Sequence, residues 1–476
     1  MPQGHIDFPR IFIAGLRGGA GKTILSIGII AAWRRLGKSI APYKKGPDYI
    51  DAGWLALAAG RPCYNLDTFL VHRSDVLRSF LTHTHPHDIA VIEGNRGLYD
   101  GIDTEGSTSS AEVAKLLKTP VIISLDCTKT TRTMAAVVSG CLQFDPDLRI
   151  RGVILNRVAG HRHEQNLRQN IEHYCGVPVV GAVPKLDARN FPERHMGLVP
   201  TPEHAWALTS VDAAARMALQ YLDMASLERI AVEAASDPVP VELPPSDPAR
   251  HSPAGRERPV IGVIRDSAFQ FYYPDNIEAL EAAGADVLFM SAFDPGDFPP
   301  VDALYIGGGF PETHAERLEG NTGFMVGLKA RAEAGMPVYA ECGGLMYLGE
   351  ALVVGGRRYA MSGVLPVVFG LSDRPQGLGY TRVRVESENP FYEVGTEIRG
   401  HEFRYSRVLD WRGDDRNLIF GMERGTGFIH GRDGIRYKNV LATYTHIHAL
   451  GLPHWARSMV ARSEERRVGK ECRSRW

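Results

Sequence analysis

The sequence predicts an α/β protein built from two doubly wound domains, and three observations predict it. A glycine loop, Gly15-Leu-Arg-Gly-Gly-Ala-Gly21-Lys22-Thr23, lies between the apolar run Ile11-Phe-Ile-Ala14 and the helical period Ile24 to Trp33. Apolar strands alternate with helical patterns over residues 11–223 and again from Val260. Such alternation argues a mostly parallel sheet with helices on both faces. Residues 235–258 separate the two stretches and are dense in proline, which suits an interdomain linker. The expected division is 1–234, linker 235–258, 259–461, and a tail at 462–476.

In the first domain, Ile11–Ala14, Ser39–Tyr43, Ile89–Glu93, Val121–Leu125, Gly152–Leu155 and Val179–Val183 read as strands. Ala111–Lys118 and His163–His173 read as helices. In the second, Val260–Ile264 and Val287–Met290 read as strands around a helix at Ile277–Ala283. Ligands of such sheets sit beyond the carboxyl ends of the strands. The chemistry-bearing residues fall there.

The glycine loop has the context of a P-loop, strand before and helix after. Gly15, Gly18, Gly19 and Gly21 let backbone N–H groups curl around phosphates, Lys22 reaches them, and the Thr23 hydroxyl can ligate Mg²⁺. Its spacing is one residue longer than the common pattern. Lys44-Lys-Gly-Pro-Asp48-Tyr49-Ile50-Asp51 follows the second strand, with both aspartates presented on a loop. Carboxylates beside a P-loop serve Mg²⁺ or a phosphate-linked step, with an Asx turn or helix cap as the alternative. Glu93-Gly-Asn-Arg96-Gly-Leu-Tyr-Asp100-Gly ends the third strand and supplies a second metal-side carboxylate. Asn156 ends the fifth strand, where its amide suits an adenine edge or a plain cap.

In the second domain Leu304-Tyr-Ile-Gly307-Gly-Gly309 runs from strand into a glycine turn whose N–H groups can hold an oxyanion. Glu341-Cys342-Gly343-Gly344 joins an apolar strand to an apolar helix, the pattern of a nucleophile elbow. A helix N-terminus favours a thiolate there. His446 and His448 follow another apolar strand, lie on one side of extended chain, and supply a base.

Bulk properties narrow the class. The net charge of -1 leaves no basic footprint for nucleic acid, and no apolar run is long enough for a membrane. The N-terminus is too polar for a signal peptide, and the six cysteines form no CxxC pair. A soluble cytoplasmic protein with reduced thiols is expected. Residues 462–476 are charge-rich without an apolar period and resemble the translation of a sequencing adapter, so a non-native tail is expected after Ala461.

The ordered motifs carry a resemblance over nearly the whole chain. The GKT loop, GPDYID, the Glu93–Gly101 run, Pro192-Glu-Arg-His195-Met-Gly-Leu198, Phe271-Tyr-Tyr-Pro274, the Cys342 elbow and Gly400-His-Glu-Phe resemble cobyrinic acid a,c-diamide synthases. These join a dethiobiotin-synthetase-like ATPase domain to a class I, flavodoxin-like, glutamine amidotransferase domain. The resemblance implies that Cys342 attacks glutamine, with Gly309 and the Gly343 amide as oxyanion donors and His446 ahead of His448 as base. It implies MgATP held by Lys22, Thr23, Asp48 and Glu93. Tyr49, Ile50, Asp51 and Asp100 would serve the acceptor or catalysis. ATP, L-glutamine and a carboxylated tetrapyrrole are the implied partners, with homodimerisation left open. Four positions depart from the family's pattern: Ile50, the pair Asn95-Arg96, and Arg404. Arg17 also stands where a related ATPase group carries a lysine. The added arginines make siroheme or a nickel sirohydrochlorin the alternative acceptor, with Arg96 facing it. A P-loop regulatory ATPase with an inactive glutaminase-like domain is the alternative of another class.

Overall fold

The apolar runs of the first unit, Met1–Pro245, align as one parallel sheet. The computed structural model describes residues 3–185, 193–194, 197–201, 206–242 and 258–474. The strands are β1 (Arg10–Gly15), β2 (Ser39–Lys45), β3 (Tyr64–Leu66), β4 (Asp88–Glu93), β5 (Val121–Asp126), β6 (Ile150–Val158) and β7 (Val179–Pro184). Their order is β3-β2-β4-β1-β5-β6-β7, all parallel. β1 and β4 are buried along their whole length, as a sheet covered on both faces requires. The P-loop strand β1 is therefore central, with Glu93 at the end of one neighbour and Asp126 at the end of the other.

Several expected strands are longer than their apolar runs. β2 continues through Lys44 and Lys45, which are charged yet buried, so hydropathy stopped the reading early. Helix α1 (Lys22–Arg35) follows the P-loop and buries Trp33 completely. Helix α2 (Tyr49–Ala59) follows GPD, is capped by Asp48, and buries Trp54.

The segment expected as linker, 235–258, begins with structure of its own. Val239–Glu242 pairs antiparallel with Gln3–Ile6. Pro240 is tolerated because a two-stranded ribbon leaves one edge of each strand open. Residues 243–257 lie outside the described residues, as do Pro192, His195 and Met196 of the 192–198 motif.

In the second unit, Ser246–Trp476, the parallel strands are β8 (Val260–Ile264), β9 (Asp286–Met290), β10 (Ala303–Ile306) and β11 (Val338–Glu341). Helix α3 (Gly343–Leu348) starts one residue after β11 ends at Glu341 and Cys342 intervenes. The apolar strand expected before His446 is β16 (Val440–Thr443), parallel to β11. Between them the chain forms an antiparallel extension that the sequence did not reveal, β12 (Gly377–Val385), β13 (Glu397–Arg404), β14 (Leu418–Arg424) and β15 (Arg432–Tyr437), with β17 (His446–Ile447) after β16. The ten-stranded order is β9-β8-β10-β11-β16-β15-β14-β12-β13-β17. β17 follows β16 in the chain yet pairs with β13 at the far edge, so the sheet curls round. One face packs Leu280, Trp455 and Met459 on Tyr305 and Tyr339. The other packs Leu318, Phe324, Leu328 and Leu345 around Leu304 and Ile306.

The charged tail set aside on sequence grounds is helical. His454–Ser474 forms one helix. Ser463 is buried and donates to Met459 O, and Arg462 Nε donates to Pro390 O over 3.0 Å. Its arginine, glutamate and lysine content is good for helix even without an apolar stripe. Among the described residues no helix is long and apolar enough to cross a membrane.

Candidate active sites

The first site forms where β1, β2 and β4 end. Strand register sets Lys44 beside Glu93, and Glu93 beside Ile13 at the mouth of the P-loop. Gly19 and Gly21 have positive φ, 72° and 83°, which glycine adopts without strain. A Cβ on Gly18 or Gly19 would meet nothing within 4 Å, so that stretch of backbone is open to a ligand. A Cβ on Gly21 would lie 2.2 Å from Asn156 Nδ2, and one on Gly15 would press on the Lys22 stem.

Thr23 Oγ1 donates to Glu93 Oε1 over 2.7 Å and reaches Asp51 Oδ2 at 3.3 Å. Lys44 Nζ donates to Asp51 Oδ2 at 2.7 Å and to Glu93 Oε1 at 2.9 Å. Lys22 Nζ donates to the carbonyls of Arg17 and Arg96, over 3.1 and 2.8 Å. Burial pushes the Glu93 pKa up to about 7, aided by Asp51 and opposed by Lys44. Burial also lowers the Lys22 pKa, and the Lys44 charge lowers it further. For Lys44 burial acts downward, but Asp51 and Glu93 together raise its pKa.

The arrangement redistributes the expected roles. Asp51, read as an acceptor residue, is a second carboxylate near Thr23, beside Glu93. Asp48, expected as a metal ligand, caps α2 by accepting from Asp51 N over 2.9 Å. Burial raises its pKa to about 6. Asn156 is turned inward: Nδ2 donates to Ala20 O and Oδ1 accepts from Arg157 N, so it braces the P-loop. Asp100 Oδ2 accepts from Gly97 N and closes the 97–100 turn, close enough for its charge to act on Lys22. Tyr49 and Ile50 open α2. Arg96 is exposed at φ 52°, and Asp103, a potential partner, accepts from Ser107 N instead.

Two features went unread. Lys44 lies between the two carboxylates; its signal was a lysine ending an apolar strand. Asp126 ends β5, and both Arg17 and Arg157 donate to its Oδ2 over 2.7 Å. Against burial, Thr128 and these guanidiniums hold it below the usual carboxylate range.

The second site centres on Cys342. It is the only residue between β11 and α3 and adopts φ 47°, ψ -97°. A non-glycine residue held there is strained, as a nucleophile elbow requires. Gly343 is needed because a Cβ would lie 2.9 Å from Gly309 N; the two proposed oxyanion glycines are thus neighbours. His446 faces this elbow, with a Cβ on Gly308 reaching 2.5 Å from its Cε1. Burial works against a charge on His446, but the neighbouring Cys342 and Glu341 raise its pKa to about 10. His401, paired with His446 in the β13–β17 register, stacks on it at 4.9 Å between ring centroids. Burial and the neighbouring histidines push the His401 pKa well down.

His448 does not join Cys342. Its Nε2 lies 3.5 Å from Asp275 Oδ2 and its ring packs 4.6 Å from Tyr273. Asp433, unread in the sequence, accepts from Tyr444 N, Thr445 N and both threonine hydroxyls at 443 and 445. It holds the bend that delivers His446.

A P-loop with adjoining carboxylates in one unit and a strained cysteine–histidine pair in the other define a class: a nucleotide-binding domain joined to a glutamine amidotransferase domain. Residues 11–199 match the CobQ/CobB/MinD/ParA nucleotide binding domain, and residues 260–453 match the CobB/CobQ-like glutamine amidotransferase domain. The chain is 44% identical over 451 residues to a cobyrinate a,c-diamide synthase of Magnetococcus marinus, covering 94% of this chain and 96% of that protein. It is 39% identical over 467 residues to one of Archaeoglobus fulgidus, covering 97% and 99%. The chain belongs to the cobyrinate a,c-diamide synthase family and is a glutamine-hydrolysing amide ligase.

Proposed function

We propose that this chain converts the a and c carboxylates of cobyrinic acid to amides, using ATP and glutamine. The observation that carries the reading is the pairing, in one chain, of a strained Cys342 beside His446 with a P-loop threonine bonded to Glu93. Cys342 attacks the glutamine carboxamide and releases ammonia, and water then hydrolyses the thioester. In the other unit an acceptor carboxylate oxygen attacks the γ-phosphorus of ATP and ADP leaves. Ammonia attacks the acyl carbon and phosphate departs. A carboxylate is a poor electrophile; phosphorylation turns its oxygen into a leaving group.

The donor set fits Mg²⁺. Glu93 Oε2 is buried with no hydrogen-bond partner among the described residues, beside a hydroxyl and a second carboxylate. Thr23, Asp51 and Glu93 would hold the ion, leaving its remaining positions to phosphate oxygens and water. Bound there, Mg²⁺ would neutralise charge developing on the transferred phosphoryl group. Lys22 would add its charge to the β/γ-phosphates.

The test is product mass spectrometry with ATP, amide-nitrogen-labelled glutamine and, in parallel, cobyrinic acid, siroheme and nickel sirohydrochlorin. Two labelled nitrogens in cobyrinic acid, with ADP formed in step, are expected. Amidation of another macrocycle in its place would reassign the acceptor; ADP without any labelled amide would sink the ligase reading.

A further inference from the structure

A cysteine–histidine pair needs a third group that decides which imidazole nitrogen carries the proton. His448, on the same side of the strand as His446, is engaged with Asp275 and Tyr273 instead. We propose that Glu341, the residue immediately before the nucleophile, is the positioning acid of His446. The proposal rests on Cys342 being the nucleophile.

Glu341 Oε2 lies 3.5 Å from His446 Nδ1, and both side chains are buried. The carboxylate is held from two other sides. Oε1 accepts from Ile447 N over 3.1 Å, and Oε2 accepts from Tyr305 Oη over 3.1 Å. The acid is thereby tied to the residue after the base it orients. The β11–β16 register places Glu341 opposite Thr443, three residues before His446. The base thus lies just beyond the strand that neighbours the acid's, and the nucleophile just beyond the acid's own strand. His401 covers a face of the His446 ring, and Gly308 leaves room at its edge. The ionisable groups around this imidazole include Cys342, Glu341 and His401, and His448 acts on His401 in turn.

With Glu341 at Nδ1–H, Nε2 takes the Cys342 proton. The S–C bond forms, and the departing nitrogen takes that proton from Nε2 as the C–N bond breaks. Water then gives a proton back to Nε2 as it opens the thioester. The Glu341 carboxylate stabilises the imidazolium.

Glu341→Gln keeps the shape but presents an amide to His446 in place of a charge. We expect glutamine hydrolysis to lose about 10²- to 10⁴-fold in kcat, with the KM for glutamine and ammonia-driven synthesis near wild type. The alkaline limb of the pH profile, where the imidazolium proton is lost, should move to lower pH, because a carboxylate that favoured the charged ring is gone. A purely structural residue would not move that limb. Glu341→Asp should recover part of the rate; it also serves if the Gln variant melts early. Wild-type hydrolysis in either folded variant, or a lost rate with an unmoved alkaline limb, would overturn the proposal. Cys342→Ser in parallel separates the two readings. If it still hydrolyses glutamine, the nucleophile and its positioning acid fall together. If it is inactive while Glu341→Gln is normal, Glu341 alone is excluded.

Discussion

Lys44 Nζ lies 2.9 Å from Glu93 Oε1, with the two side chains 1% and 0% exposed. One buried ammonium therefore serves two carboxylates, because Asp51 sits on its other side. Burial and Asp51 together raise the pKa of Glu93 from 4.5 to about 7. Between those values the folded protein binds a proton that the unfolded chain has lost. Stability therefore falls as pH rises through this range.

Glu93→Gln removes that titration. The variant should gain stability on the wild type as pH rises from 4.5 to about 7, and the gap should level off above. Urea melts across this range report it. The same variant should lose about 10²-fold or more in ATP-dependent synthesis, with glutamine hydrolysis unaffected. Unchanged synthesis would remove Glu93 from the site.

Cys342→Ala should abolish glutamine-dependent synthesis and leave synthesis from free ammonia largely intact. Ammonia enters after the thioester stage, so the sulfur is not needed. Joint loss of both activities would contradict two separable sites.

Gly308→Ala tests how closely His446 is held. The added Cβ would sit 2.5 Å from His446 Cε1, so the ring must shift. A displacement of that kind costs about 10²-fold in rate. Glutamine hydrolysis should fall by that order while ammonia-driven synthesis persists. A variant with normal hydrolysis would show that the base tolerates displacement.

Arg96→Met addresses the acceptor. Arg96 is exposed, and its charge acts on the buried Lys45, so two cations share this corner. A guanidinium there can grip a carboxylate bidentately. The KM for the tetrapyrrole should rise, with those for glutamine and ATP near normal. An unchanged acceptor KM would place Arg96 outside the pocket.

The sequence by itself determined the elements whose signals are local. Glycines needing positive φ, a lysine–threonine pair at a helix start, and Cys-Gly-Gly between strand and helix are short-range patterns. The α/β class follows equally from runs of apolar residues. The antiparallel strands of the second unit escaped because charged residues and glycines interrupt them, so no apolar run marks them.

Only the tertiary structure decided which charged groups meet. Asp48 and Asp51 look equivalent three residues apart, yet the first turn of α2 sends one to its own backbone and the other to Thr23 and Lys44. His446 and His448 look equivalent two residues apart, yet the curled sheet sets one against Cys342 and Glu341 and the other against Asp275. Lys44 and Glu341 carry only a faint local mark, a charge at the end of an apolar run. Their partners lie 49 and 105 residues away in the chain, Glu93 and His446, and strand register brings each pair together.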